Sequence, residues 1–304
     1  MLSRRQFLAA SAAAAALPLS GHRVWSAASL ELGAARLDTL SDGMLMLPGD
    51  FILGGMPEAE LAGIIARHGL SRDQLTPPCN VTLLRDGTNT ILFDVGAGPD
   101  FQPSAGKLGE ALDALGVTVE DITHVLFTHA HPDHLWGLLD EFDEPLFPNA
   151  EFMIGAAEMD YWMDPDTVAS IGEARATFAI GAQRRLEVIA DQVRRLEEGD
   201  EALPGIVARL TPGHTPGHMG FEIAAGGDPV MVVGDAIGNH HVAFEQPGWA
   251  SGSDQDQDLA AATRLALLDR LAGERMRLVG FHLPDGGIGR AERAGSAYRF
   301  IADI

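Results

Sequence analysis

The sequence predicts an α/β protein in which two β-sheets lie between helical layers. Strand-like and helix-like segments alternate through the first half of the chain, and the same rhythm starts again in the second. With a leader-like N-terminus set aside, about 276 residues remain, enough for one large domain with a full core. No low-complexity linker interrupts them, and the residues able to do chemistry fall at the ends of predicted strands.

The first residues describe export. Ser3-Arg4-Arg5-Gln6-Phe7-Leu8 resembles a twin-arginine signal, and the run from Leu8 to Leu19 is too short and alanine-rich to span a membrane. Ser26-Ala27-Ala28 offers small residues for cleavage before Ser29. Residues 1–28 are therefore expected to be a signal peptide and residues 29–304 the functional domain, periplasmic or secreted and exported folded. Removing Arg4, Arg5 and Arg23 leaves 18 basic against 43 acidic residues, a net charge of −25. Such acidity disfavours nucleic acid and anionic membrane as partners, since phosphate contacts need clustered Lys and Arg. A small molecule is the expected partner, and a homodimer is compatible with the sequence. Cys79 is the only cysteine, so no intramolecular disulfide can form, and it reads as a small core residue.

Taken in order, Ala35–Leu40 and Met44–Leu47 read as strands joined by a turn at Ser41-Asp42-Gly43. An apolar, glycine-containing loop, Gly49–Pro57, suits either core cover or a pocket wall, and a helix over Pro57–His68 follows it. Val81–Leu84 and Thr90–Asp94 form a second hairpin, ending in Asp94-Val95-Gly96-Ala97-Gly98. Asp94 is expected to shape a neighbouring loop from behind; a phosphate cradle at Gly-x-Gly is the weaker reading. A helix over Leu108–Leu115, closed by Gly116, leads into the buried strand Ile122–Phe127. Beyond it, helices are expected to begin at Leu135 and to span Ala156–Met163, with a strand at Glu151–Ile154. A long amphipathic helix is expected over Arg184–Glu198 from Leu186, Ile189, Val193 and Leu196. Strands at Gly205–Leu210, Phe221–Ala224 and Val230–Val233 come next. A helix over Asp258–Leu271, with Asp256 or Asp258 near its start, precedes the last core strand, Arg277–Phe281.

The stretch with the strongest chemical content is Thr128-His129-Ala130-His131-Pro132-Asp133-His134, which leaves a buried strand. It places four metal-competent side chains within six residues. Imidazole and carboxylate donors with few thiolates suit zinc and its neighbours in a site other than a cysteine-rich structural one. An HxH pair can aim two imidazoles at one ion while the adjacent Asp-His pair turns towards a second. His214, Asp235 and His282 follow later, each at a predicted strand end.

His129-x-His131-x-Asp133-His134, His214, Asp235 and His282, in this order, resemble the ligand set of the metallo-β-lactamase superfamily. The resemblance implies a four-layer αββα sandwich. It implies two divalent ions per chain, zinc first among the candidates: one held by His129, His131 and His214, the other by Asp133, His134 and His282, with Asp235 bridging both. His134-Leu135-Trp136-Gly137, Gly234-Asp235-Ala236 and Gly280-Phe281-His282-Leu283-Pro284 are most similar to the exported branch that includes methyl parathion hydrolase, and beyond it to N-acyl-homoserine lactonases. Asp285-Gly286-Gly287 departs from the more aromatic turn of relatives. The implied chemistry is attack by a metal-bridging hydroxide on a small neutral ester, lactone or phosphotriester, with Asp133 taking or relaying the proton. A non-catalytic metal-binding protein, a thioesterase and a β-lactamase-like amidase are the alternative readings. Trp136, Phe244 and Trp249 are expected to line an apolar pocket, and Trp162 flanks the same region. His124 reads as a strand residue, His218 as a support for the turn after His214, and His240 and His241 as a surface loop from which one could face a substrate.

Overall fold

The computed structural model describes residues 26–226 and 228–303. The expected signal peptide lies outside the described residues except for Ser26-Ala27-Ala28, which open the first strand. One seven-stranded sheet has the order β1 (Ser26–Leu32), β2 (Ala35–Met44), β5 (Pro78–Arg85), β6 (Thr90–Phe93), β7 (His124–Leu126), β8 (Glu151–Gly155), β9 (Arg194–Leu196). A second runs β10 (Glu201–Leu203), β11 (Ile206–Leu210), β12 (Met219–Ile223), β13 (Val230–Gly234), β14 (Arg277–Gly280), β15 (Ile288–Ala294), β16 (Ala297–Ala302). The small pair β3 (Leu47–Pro48) and β4 (Gln74–Leu75) stands apart. The expected αββα sandwich is the observed architecture.

Side-chain alternation explains the layering. In β7, Val125 faces a core shared with helices and Leu126 a second core between the sheets. In β13, Val230 and Val232 join the core between the sheets, while Met231 and Val233 pack towards Leu267, Leu268 and Leu271 on the other side. Strands buried on both faces read as nearly continuous apolar runs, so neighbouring residues stabilise different layers. The helical cover comprises α3 (Leu108–Ala114), α5 (Ala156–Met163) and α7 (Ala176–Ile189) on one side, and α9 (Gln257–Glu274) on the other. Shorter helices are α1 (Gly49–Leu53), α2 (Glu58–His68), α4 (Pro132–Leu135), α6 (Thr167–Ser170) and α8 (Val242–Glu245). Asp256 caps α9 by accepting the Leu259 N–H at 3.0 Å. No helix among the described residues is long and apolar enough to cross a membrane.

Four expected elements differ. Ser41-Asp42-Gly43 is a bulge within the continuous strand β2. The Asp42 carboxylate turns inward and accepts the N–H groups of Ala97 (2.8 Å), Gly106 (3.1 Å) and Leu108 (2.8 Å). It fills the space by the Gly-x-Gly segment that a phosphate would need. Helix α7 begins earlier and stops at Ile189, because Leu196 belongs to β9; its apolar spacing continued the helical phase across a turn. Leu135 ends α4, and Trp136–Leu138 forms a 3-10 turn. Arg277–Gly280 is not the last core strand, since β15 and β16 extend the sheet beyond it.

Candidate metal centre

Strand ends deliver the seven predicted donors to one place. The loop after β7 supplies His129 and His131, and α4 supplies Asp133 and His134. His214 follows β11, Asp235 follows β13, and His282 follows β14. All seven are at most 7% exposed. His129 Nε2 lies 3.1 Å from His131 Nδ1, which lies 2.9 Å from His214 Nε2. His282 Nε2 stands 3.2 Å from Asp133 Oδ2, and His134 Nε2 stands 3.5 Å from the same oxygen. Asp235 sits between the groups: Oδ2 is 3.3 Å from both His214 Nε2 and His282 Nε2, and Oδ1 is 3.4 Å from His134 Nε2.

The 3.2–3.5 Å spacings around Asp133, His134, Asp235 and His282 suit a shared metal, and the three imidazoles stand somewhat closer together. Nitrogen and oxygen donors about 2.0–2.2 Å from one tetrahedral ion stand roughly 3.3–3.6 Å apart. Asp133 Oδ2, His134 Nε2 and Asp235 Oδ1 are buried without a hydrogen-bond partner, a costly state for polar atoms unless something else engages them. His129, His131 and His214 form one compact group, and Asp133 and His282 another, which also contains Cys79.

Most donors are oriented from behind. His134 Nδ1 lies 2.8 Å from Asp94 Oδ2, and Asp94 also accepts the Thr128 N–H (2.7 Å) and hydroxyl (2.8 Å). Asp94 holds a left-handed φ of 64°, a conformation that Asp tolerates better than most residues. His129 Nδ1 meets Thr128 Oγ1 at 3.0 Å, and His282 Nδ1 meets the Pro78 carbonyl at 2.8 Å. His218 Nε2 accepts the Asp235 N–H at 2.9 Å, while its Nδ1 meets Thr211 Oγ1 at 2.8 Å. Its role thus reaches past the turn after His214 to the Asp235 backbone. Gly234 permits this approach, because a Cβ there would lie 2.6 Å from His218 Nε2.

Two anchors escaped the sequence reading. Asp254 Oδ1 lies 3.0 Å from His214 Nδ1, and its other oxygen is 3.2 Å from Arg264 Nη1. Glu158, wholly buried on α5, accepts from Ala130 N (3.0 Å), Trp162 Nε1 (2.6 Å), Thr215 Oγ1 (2.7 Å) and Gly217 N (3.0 Å). It binds the loop carrying His129 and His131 to the loop carrying His214. The only sequence signal was a carboxylate four residues before Trp162 on a short apolar helix.

Electrostatics divide the centre. Burial and neighbouring imidazoles hold His129 well below the usual histidine range. Burial and His214 do the same to His131. Burial also opposes charge on His134, yet Asp133, Asp235 and Asp94 outweigh it and push that imidazole up to about 10. His282 is likewise raised against its burial, by Asp235 and Asp133. Burial therefore works against a proton on His129 and His131, whereas the nearby carboxylates favour one on His134 and His282.

Residues 76–282 match the sequence model of the metallo-beta-lactamase superfamily. The chain belongs to the metallo-β-lactamase superfamily. Uncharacterized protein YobT of Bacillus subtilis is 29% identical over 160 residues, which is 53% of this chain and 62% of that one. Metallo-beta-lactamase domain-containing protein 1 of Xenopus laevis is 30% identical over 172 residues, 56% of this chain and 55% of that one. The matches thus span less than two thirds of either curated relative. Among solved structures, AidC, described as a dizinc quorum-quenching lactonase in complex with a product, superposes with a TM-score of 0.85 at 26% identity. AbOPH, described as a hydrolase in the beta lactamase superfamily, gives 0.83 at 26% identity. Each covers 91% of this chain and 97% of its own.

Above the centre of this metallo-β-lactamase-type fold lies a cavity of about 280 Å³ whose floor includes His131, Asp133, His214, Asp235 and His282. The walls are mainly apolar: Leu47, Phe51 and Ile52 from one side, and Phe101 and Phe178 from another. Trp136, Phe244 and Trp249 are not in this lining. Trp136 packs on Phe101 and under the Arg185 guanidinium, 4.5 Å from its ring. Phe244 is wholly buried in the core under α9, and Trp249 lines a smaller neighbouring pocket that also touches Asp235. The segment Gly49–Pro57, expected as a loop, is helix α1 over Gly49–Leu53, and it serves both expected roles, with Leu53 in the core and Phe51 and Ile52 on the cavity. His240 and His241 both line the cavity, and His241 is buried, which corrects the surface-loop reading. His68 stands behind them, its ring 5.1 Å from His240 and its Nε2 2.6 Å from Glu245 Oε1.

Proposed function

We propose that the chain is a dinuclear, zinc-dependent hydrolase of small neutral or weakly polar esters, lactones or phosphotriesters, working in the periplasm or outside the cell after export in folded form. The observation that carries this reading is the convergence of seven buried donors, five of which line the floor of an apolar-walled cavity. The lactonase description and bound product of AidC support an ester-type substrate.

His129, His131 and His214 would hold one ion, Asp133, His134 and His282 the other, and Asp235 would serve both. Bound there, two divalent ions supply Lewis acidity and water activated near neutral pH. The protein does the rest. Asp94, Asp254, Pro78 and His218 fix the rings and the Asp235 backbone, so little reorganisation is needed during reaction. Asp133, on the cavity floor, is placed to accept a proton from attacking water and return it to the leaving group. The apolar walls exclude bulk water and favour an uncharged substrate. Arg175 also lines the cavity, held by the Gly252 carbonyl at 2.6 Å, and offers a donor to a polar substituent.

Metal analysis and a hydrolysis panel test the reading. The purified protein should hold about two divalent ions per chain. It should turn over a chromogenic ester, an N-acyl-homoserine lactone or a paraoxon-like triester, and lose turnover to chelator. One ion per chain that added zinc does not raise, or a metal-loaded protein inert across the panel, would defeat it.

A further inference from the structure

The cavity has a polar wall that supplies none of the seven metal donors. It is the segment Gly238-Asn239-His240-His241, which runs from the 3-10 turn holding Asp235 to α8, and all four residues line the cavity. The segment is tied to α8. Asn239 Oδ1 accepts the Ala243 N–H at 2.9 Å, and the His241 carbonyl accepts the N–H groups of Phe244 (3.2 Å) and Glu245 (2.9 Å). The two imidazoles stand nearly perpendicular, with centroids 5.2 Å apart. His68 backs both, its ring 5.1 Å from His240 and 6.0 Å from His241, and Glu245 holds His68 in turn. Among the described residues, neither His240 nor His241 belongs to a compact group of donors that could hold an ion.

Burial, reinforced by neighbouring imidazoles, pushes His240 down to about 4 and His241 down to about 3. For His240 it outweighs the opposing pull of Asp285, from the turn that departs from the aromatic one of relatives. A neutral imidazole has one N–H donor and one lone pair, and no charge with which to select an ion. His241 Nδ1 is buried without a hydrogen-bond partner, so the proton belongs on Nε2, the outer nitrogen of the ring. We propose that His240 and His241 are specificity-determining residues. They receive an uncharged group that can both donate and accept a hydrogen bond, a hydroxyl or an amide, carried by the ester or lactone beside its scissile bond. A substrate without that group leaves two desolvated rings unpaired, and a site built to hydrogen-bond a polar group discriminates against analogues that lack it. The inference rests on the hydrolase reading above and adds the polar group that the substrate carries.

Three lactones of one ring size provide the test: γ-butyrolactone, α-hydroxy-γ-butyrolactone and α-acetamido-γ-butyrolactone. Proton release by the full-length, zinc-loaded protein gives kcat/KM for each. The readout is the ratio of each substituted lactone to the parent, compared between proteins, so that differences in intrinsic reactivity cancel. In both His240→Phe and His241→Phe the ratio for the hydroxy or the acetamido compound should fall at least about fivefold, with metal content unchanged. The compound affected identifies the group. A ring with only a structural role would alter substituted and parent lactones alike, so unchanged ratios would overturn the inference. His240 is half-buried, so its variant decides even if the buried position does not tolerate phenylalanine. A wild-type protein that hydrolyses other esters or triesters but none of these lactones would also overturn it, and would leave the hydrolase reading standing. A metal-loaded protein inert on every ester, lactone and triester would overturn both.

Discussion

On the cavity floor the donors follow strand ends, directly or through α4, and most are held from behind by a buried partner, whereas the walls come from β3, α1, a loop and the first turn of α7. His134 leans on Asp94 and His214 on Asp254, and the Asp235 backbone leans on His218. Phe51, Phe101 and Phe178 lie far apart in sequence and contribute mostly surface. Floor positions are therefore coupled, so that one loss disturbs several neighbours, while wall positions act one at a time.

The largest test of that contrast is Asp235→Ala. Asp235 touches members of both donor groups, so both ions should be lost together, with kcat/KM falling by about a thousandfold or more. His282→Ala should mainly empty the second position. Metal content measured beside kinetics separates these outcomes, and an Asp235→Ala protein that keeps two ions would break the idea of a coupled floor.

Next comes a pair of phenylalanines. Phe244→Ala removes a ring wholly buried under α9 and should cost about 3–5 kcal/mol of stability, with KM little changed. Phe178→Ala trims a half-buried cavity wall and should raise KM for bulky esters several-fold while two ions stay bound. Urea unfolding and KM across an ester series check both. If the two variants exchange phenotypes, the wall has been drawn in the wrong place.

The smallest effect is expected from pH. Burial pushes His241 down to about 3, against about 6.5 in an unfolded chain. Below pH 6.5 the unfolded chain gains a proton that the folded protein refuses, so this histidine lowers stability as pH falls towards 3. Between pH 6.5 and 5 the penalty is about 2 kcal/mol. His241→Gln should remove that part of the acid sensitivity, seen as a shallower fall of Tm over the same range. Equal slopes would mean that the ring is protonated in the folded protein.

Much of the floor was legible before any coordinates. A ligand set at strand ends has fixed types and local spacing, and His129 to His134 carry most of it within one loop. The walls were not legible, because Phe51, Phe101 and Phe178 meet only through tertiary packing, which no local pattern encodes. Trp136, Phe244 and Trp249 looked suitable by nearness in sequence to ligand-bearing loops, yet a strand end turns such neighbours towards the core as readily as towards the cavity. Glu158 stayed hidden because its four partners come from three separate stretches of chain. Asp42 was misread for a related reason: an Asp-Gly pair signals a hairpin, and only the tertiary fold shows a strand bulging so that the carboxylate can turn inward.

Glu158 has a consequence for the order of events during folding. It joins the loop near residue 130 to the loop near residue 217, and the Met219 N–H adds a backbone bond to the Thr128 carbonyl at 2.8 Å. The contacts that hold both loops exist only where the two sheets are docked. The donors are also spread from residue 129 to residue 282, so closing the site requires contacts of long sequence separation, which form late and slowly. An emerging chain can offer a metal the His129–His131 pair but not a finished site. Metal capture then acts as a lock on the docked sheets, rewarding completion of the fold and not its beginning.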